Sequence, residues 1–259
     1  MSDFLSNPAN VQEDRPEISA LAHTVVSLMQ DNTKRKVERH LQAMTDHLVL
    51  RVRAPGPFAA DKLVSELLSD GLHADDLIDV CIPAAARVLG AMWCEDQLNF
   101  AEVTIGSARL QGLLSLLAPP WSVPSDGDSE PAIAIVLPDG ETHTLGVHVI
   151  TAQLRRKNAS VRLLFGPTTA TLLRILRNDP FDGVFFSCTR KSKLPAIAEM
   201  MTRIKSSFTR PPALILGGLA LTSAEKEAKA SRADLVTDNA LAAFEFCRRR
   251  MKTDPPKVR

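Results

Sequence analysis

Excess charge is almost absent from this 259-residue sequence: 31 lysines and arginines stand against 30 acidic residues, a formal net charge of +1. There is no chain-wide basic field to neutralise a phosphate backbone, so direct DNA contact gains no support from charge. Paired cysteines are absent too. Cys81, Cys94, Cys188 and Cys247 stand apart without C-x-x-C spacing, which speaks against a disulfide framework or a zinc site and leaves mostly reduced core thiols. Long hydrophobic runs are also lacking. The longest apolar stretches, such as residues 113–117 and 132–137, fall far short of the roughly 20 residues that cross a bilayer, so no membrane association is expected. Residues 1–15 are polar and acidic, without the basic start and apolar stretch of a signal peptide. A cytoplasmic location is the expectation.

What the chain does have is apolar periodicity that changes character halfway. Its length allows two cores, because domains usually run to about 100–200 residues. Residues 1–17, rich in Pro, Asn, Asp, Glu and Ser, read as a disordered tail. From Ile18 to Arg53, Leu21, Val25, Leu28, Met29, Val37, Leu41, Met44, Leu48 and Leu50 keep roughly helical spacing around a polar break at 31–34, predicting one broken helix or two short ones. Pro55 and Pro57 force a turn. Residues 61–68, 74–90 and 100–117 read as amphipathic helices, so 18–118 is expected to be a helical bundle. Residues 119–130, with three prolines and a polar run, have the composition of a linker. Beyond it, short β-branched runs at 133–137, 161–165, 183–187, 213–216 and 235–237 alternate with helical segments at 146–156, 168–177, 193–206, 222–231 and 240–250. That alternation predicts an α/β fold in which residues 131–251 form a Rossmann-like (flavodoxin-like) five-stranded parallel sheet covered on both faces. Residues 252–259 read as a tail.

Such sheets bind ligands at the carboxyl ends of their strands, and three loops there carry chemistry. After the first run come Glu141, His143 and Gly146, just where a helix is expected to begin. An imidazole at that mouth suits a ligand residue. Glu141 could accept its second N–H, fixing the tautomer and raising basicity as carboxylates do for metal-bound histidines, and Gly146 leaves the backbone bare for close approach. The third run ends in Ser187-Cys188-Thr189 and the fourth in Gly217-Gly218. Together they suit a long ligand tail lying in a crevice, held by hydroxyls and packed on bare backbone.

The arrangement resembles the cobalamin-binding signature D-x-H-x-x-G, followed by S-x-L/T and then G-G. Here it reads Glu141-x-His143-x-x-Gly146, Ser187-x-Thr189 and Gly217-Gly218, with Glu in place of Asp. The resemblance implies cobalamin (adenosyl- or hydroxo-form) with His143 replacing the nucleotide base as the lower cobalt ligand, and the nucleotide tail in the crevice. Residues 93–102 are similar to the segment that caps the upper face of cobalamin in CarH-type light sensors, which implies that Trp93 and Glu102 shield the upper ligand. Cys94 and Val103 stand where those sensors have histidines. Cys94 is thereby a candidate upper ligand, and His148 is a poor one. Leu98, residues 100–104 and residues 108–111 resemble the AerR/PpaA antirepressors of purple photosynthetic bacteria, over about residues 60–250. This resemblance implies a light-responsive antirepressor, not an enzyme, whose partner is a CrtJ/PpsR-type repressor of photosystem genes.

Each residue also has an ordinary reading. Alone, His143 is a surface-loop histidine, Trp93 a core aromatic, Cys94 a small buried hydrophobe, and the glycine pair strand-end turn chemistry. The basic run at 248–252 is the cation-rich end of a last helix. Two other functions share the site: a haem-binding redox sensor with His143 axial, and the corrinoid shuttle protein of a methyltransferase.

Overall fold

A computed structural model describes residues 15–118, 130–218 and 232–253, with side chains described from residue 34 onward. Its first half consists of α1 (Arg15–Arg53), α2 (Ala60–Ser69), α3 (Ala74–Cys94) and α4 (Phe100–Leu117). Their apolar stripes meet in one core: Leu48 and Val52 of α1, Leu63 of α2, Ile82 and Leu89 of α3, and Leu110 of α4 are all buried. Gly106 brings α4 close to α3, since a Cβ there would stand 2.9 Å from a Leu89 methyl. Pro83 lies inside α3 just after a wide, π-type turn at Leu77–Cys81, a local loosening of the helical ladder that accommodates a residue without an N–H.

Two expectations change here. α1 is a single uninterrupted helix beginning at Arg15, so residues 15–17 are not tail and the polar stretch at 31–34 does not break it. That stretch contains neither Gly nor Pro, and polar residues stop a helix only if an apolar face is needed there. Residues 34–40 are all exposed; the pattern fades where the helix leaves the core. The second concerns α3, which is expected to end at residue 90 and instead runs to Cys94. By length and composition it passes as a membrane-crossing helix, although its apolar runs are interrupted by Asp79 and Arg87. In the fold its apolar side, from Leu77 to Leu89, is packed inside the helical core.

The second half is a sheet of β1 (Ala132–Leu137), β2 (Ser160–Phe165), β3 (Gly183–Ser187), β4 (Ala213–Gly217) and β5 (Leu235–Val236), all parallel, in the order β2-β1-β3-β4-β5. This is the flavodoxin-like doubly wound order. Period-two alternation divides each strand between two layers. Ile133, Ile135, Phe185 and Ile215 pack under α5 (Leu145–Arg155) and the last described helix, Ala240–Thr253. Ala134, Val136, Phe186 and Leu216 pack under α6 (Thr169–Asn178) and α7 (Leu194–Ser207). The last helix, α8, takes in residues 252 and 253, which the sequence pattern assigns to a tail. The expected linker up to residue 129, the helix at 222–231 and the remaining tail residues lie outside the described residues.

The two halves share contacts along α5. Val149 and Ala152 belong to the helical core. Beside them Arg156 bridges to Asp75 at 2.5 Å and to both carboxylate oxygens of Asp79 at 2.5 and 2.6 Å, with Gln153 donating to Asp79 at 3.1 Å. The guanidinium is mostly covered while Asp75 is two-thirds exposed, so solvent screens part of the attraction. Arg156→Met is expected to cost about 1 kcal/mol, or ~2–4 °C in Tm for a chain of this size. A thermal melt unchanged by the substitution would show that the apolar contacts alone join the halves.

Candidate functional site

β1 delivers the chain to the carboxyl edge of the sheet, where Pro138 and Asp139 turn it and Gly140 adopts a φ of +70°, a conformation that favours glycine. The turn folds Glu141 inward. Its side chain is 1% exposed, whereas that of His143 is 62% exposed. One Glu141 oxygen accepts the His143 backbone N–H at 3.0 Å and lies 2.7 Å from ring Nδ1. The other accepts the Thr189 hydroxyl from the loop after β3. Burial alone would raise the Glu141 pKa, but the hydrogen bonds from Thr189 and His143 outweigh it and bring it down to about 2. The carboxylate is therefore ionised at neutral pH and is the acceptor for Nδ1–H. That assigns the proton to Nδ1 and leaves the lone pair on Nε2, which has no hydrogen-bond partner among the described residues. A solvent-facing imidazole nitrogen backed by a buried carboxylate is the donor arrangement of a metal-bound histidine.

Around this pair the backbone is bare. Gly146, in the first turn of α5, is exposed, and a Cβ there would meet nothing within 4 Å. The glycines at the end of β4 have a different cause. Cys188 donates its backbone N–H to the Gly217 carbonyl at 2.8 Å, and Ser187 is in register with Gly217. Gly218 has a φ of +113°, and a Cβ on it would collide with the Cys188 backbone; one on Gly217 would stand 2.9 Å from the Thr237 carbonyl. The pair lets the ends of β3, β4 and β5 close on one another, a backbone requirement that holds whether or not a ligand lies there.

Glu141, His143 and Thr189 are thus brought into direct contact, and Ser187, Gly217 and Gly218 line up on the neighbouring strand ends. Trp93, Cys94 and Glu102 lie at the turn between α3 and α4, and no side-chain hydrogen bond or ion pair among the described residues joins them to His143. Trp93 is 47% exposed and so is not the core aromatic of its ordinary reading; Cys94 is exposed as well, so it is not a buried hydrophobe. Glu102 closes a capping box with Asn99, accepting its backbone N–H at 2.8 Å while Asn99 accepts that of Glu102 at 2.9 Å, which fixes the start of α4. His148 lies beside the Phe165 ring, 6.5 Å between centroids, and burial lowers its pKa.

Two residues escape a reading of the sequence. Arg190 donates to the Gly140 carbonyl, tying the loop after β3 to the His143 loop a second time, next to the Thr189 contact. Cys188 is fully buried and directs its thiol to the Arg190 carbonyl at 3.2 Å. Their place inside and beside the Ser187-x-Thr189 element is the one signal that points to them. No group of three or more His, Cys, Asp or Glu side chains gathers as a metal site among the described residues. The donor set here is one imidazole, which suits a metal that arrives with most of its ligands already in place.

No family model matches the chain. A 20.5 kDa protein of Rhodobacter capsulatus, encoded in the bchF–crtJ intergenic region, is 34% identical over 189 residues, spanning 72% of this chain and 98% of the relative. Among solved structures, the monomethylamine corrinoid protein of Methanosarcina barkeri superposes with a TM-score of 0.64 at 16% identity, over 81% of this chain and 97% of that one. At that identity the likeness speaks for a shared fold.

Because the Glu141 pKa is lower in the folded chain than its ordinary value of 4.5, its stabilisation is complete above pH 4.5 and is lost as pH falls from there towards about 2. Glu141→Gln is expected to reduce unfolding free energy at pH 7 by about 2–3 kcal/mol. It should also flatten the acid limb of the stability profile. Urea titrations at pH 7 and pH 3 check this: an equal loss at both values would mean that Glu141 acts by packing and not by charge.

Proposed function

The chain belongs to the AerR/PpaA-type family, that of the Rhodobacter capsulatus bchF–crtJ intergenic protein, and from that premise we propose that it is a cobalamin-binding, light-responsive transcriptional regulator, an antirepressor and not an enzyme. The observation that carries the reading is the His143 ring, exposed and anchored through Nδ1 to a buried, ionised Glu141. The relative's position beside crtJ supports a CrtJ/PpsR-type repressor as the partner, in the cytoplasm.

The residues present fit a corrinoid that has given up its own base. Such a group needs one nitrogen donor, held at a fixed angle, and room beside it. Glu141 keeps the proton on Nδ1 and orients the ring, which leaves the Nε2 lone pair free for a metal. Thr189 and Arg190 hold the loop that carries both. Gly146 leaves the first turn of α5 open to close approach, and Ser187 offers a hydroxyl near the glycine pair. When bound, cobalamin in its adenosyl- or hydroxo-form would supply cobalt chemistry, and the adenosyl form a light-sensitive cobalt–carbon bond. Trp93 and Glu102, with Cys94 as a candidate ligand, would shield the cofactor from the helical half. α5 begins at the His143 loop and packs into the helical core through Val149 and Ala152. A rearrangement above the site therefore has a route to the helical surface, as a shift between two packings of that half.

Purified protein incubated with adenosyl- or hydroxocobalamin is expected to show the visible bands of histidine-bound corrinoid, and His143→Ala to lose them with at least about a tenfold drop in affinity. Equal spectra and affinity in the two proteins would remove His143 as the ligand. Illumination of the adenosyl-loaded protein is expected to change both its spectrum and its affinity for a CrtJ/PpsR-type repressor. If neither changes, the light-responsive reading fails. Tight binding of haem alone would make the protein a haem sensor, and methyl transfer to a thiol with a partner enzyme would make it a corrinoid shuttle.

A further inference from the structure

The loop after β3 reads Arg190-Lys191-Ser192-Lys193, three cations in a short run of a chain whose net charge is only +1. Two of them converge on one residue of the His143 loop. Arg190 donates to the Gly140 carbonyl, and the Lys193 ammonium stands 3.6 Å from where a Cβ of Gly140 would be. Like charges drawn to one point repel each other unless an anion answers them. Among the described residues no carboxylate pairs with Arg190 or Lys193. Of the two acids in the His143 loop, Glu141 is turned inward and taken up by Thr189 and His143. The other, Asp139, lies towards the end of β2, with Oδ1 3.3 Å from where a Cβ of Gly166 would be. Arg190 is exposed and Lys193 half-buried, and a guanidinium that gives one N–H to a carbonyl has others to offer.

The strand order says what these cations face. β3 lies between β1 and β4, so the loop after it stands between the His143 loop and the glycine pair Gly217-Gly218. A cofactor with its ring at His143 and its displaced base at the glycine pair has to carry the connecting arm past the loop after β3. In cobalamin that arm contains a phosphodiester, the one anionic group on a periphery of neutral amides. We infer that Arg190 and Lys193 bind this phosphodiester and so select a corrinoid that has its nucleotide arm over one that lacks it. The inference rests on the cobalamin reading of the site and adds a specificity that His143, which meets only the metal, does not supply.

The test is a pair of titrations of the full chain, one with hydroxocobalamin and one with diaquocobinamide, which has the same ring and cobalt but no phosphodiester or base. The readout is the ratio of the two affinities, in which any effect of a substitution on the His143 loop itself is common to both and cancels. Wild type is expected to prefer hydroxocobalamin. Lys193→Gln should lower the ratio by about threefold, and Arg190→Gln with Lys193→Gln by at least about tenfold. Arg190→Lys should keep most of it. Raising the salt concentration should narrow the wild-type preference and leave that of the double variant nearly unchanged. The inference is overturned if the double variant keeps the wild-type ratio, or if Arg174→Gln with Arg177→Gln on α6 lowers it equally, which would make the effect one of overall charge. The visible spectrum recorded in the same titrations separates the two levels of the account. If neither corrinoid shows histidine-bound bands, the cobalamin reading falls and this inference with it; if both show them and the ratio does not respond, this inference alone falls.

Discussion

Glu141 is almost completely buried and still ionised, because hydrogen bonds from Thr189 and from both the backbone and the ring of His143 converge on its carboxylate. The arrangement around it follows from that. A buried charge is tolerated only when donors surround it, so the loop after β1 and the loop after β3 must meet at one point. The charge in turn fixes the proton on Nδ1 of His143 and points the other nitrogen outwards. Glu in place of the Asp of the usual signature supplies the reach with which one carboxylate serves two loops.

The sheet provides the frame. Parallel strands of matched register end together, so residues far apart in sequence arrive at one edge: His143 after β1, Thr189 after β3 and Gly217 at the end of β4. Gly218 keeps that edge closed, since its φ of +113° and its contact with the Cys188 backbone exclude a side chain. α5 leads away from the His143 loop and contributes Val149 and Ala152 to the helical core, while Arg156 at its end holds Asp75 and Asp79. One helix thus belongs to the candidate site and to the layer proposed to respond to it.

Much of this was legible in the sequence. β3 is where the short apolar run placed it, and each of the other strands differs by one residue, because strands covered on both faces leave continuous apolar runs, as the burial of β1, β3 and β4 shows. The Glu141–His143 pair was legible because residue type and spacing coincide with a strand end, whereas Thr189, read as a hydroxyl for the ligand tail, donates to Glu141 instead. What stayed hidden depends on pairing between distant segments. Arg156 with Asp79, and Arg190 with the Gly140 carbonyl, carry no local pattern. The continuity of α1 was hidden for a physical reason: a change from amphipathic to polar spacing marks the end of burial, which at residues 34–40 is not the end of the helix. The glycine pair was visible, but its first cause is the closeness of three strand ends and not a ligand.

The central claim is that the His143 nitrogen opposite Glu141 binds cobalt. Electron paramagnetic resonance of the protein loaded with cobalamin and reduced to the divalent cobalt state tests it most directly, because the axial nitrogen splits each cobalt line. Protein made with heavy-nitrogen histidine and ordinary cobalamin should show doublets in place of the triplets given by unlabelled protein, and His143→Ala should return the pattern of the free cofactor. Triplets that persist in the labelled protein would mean that cobalamin keeps its own base and that His143 is not its ligand.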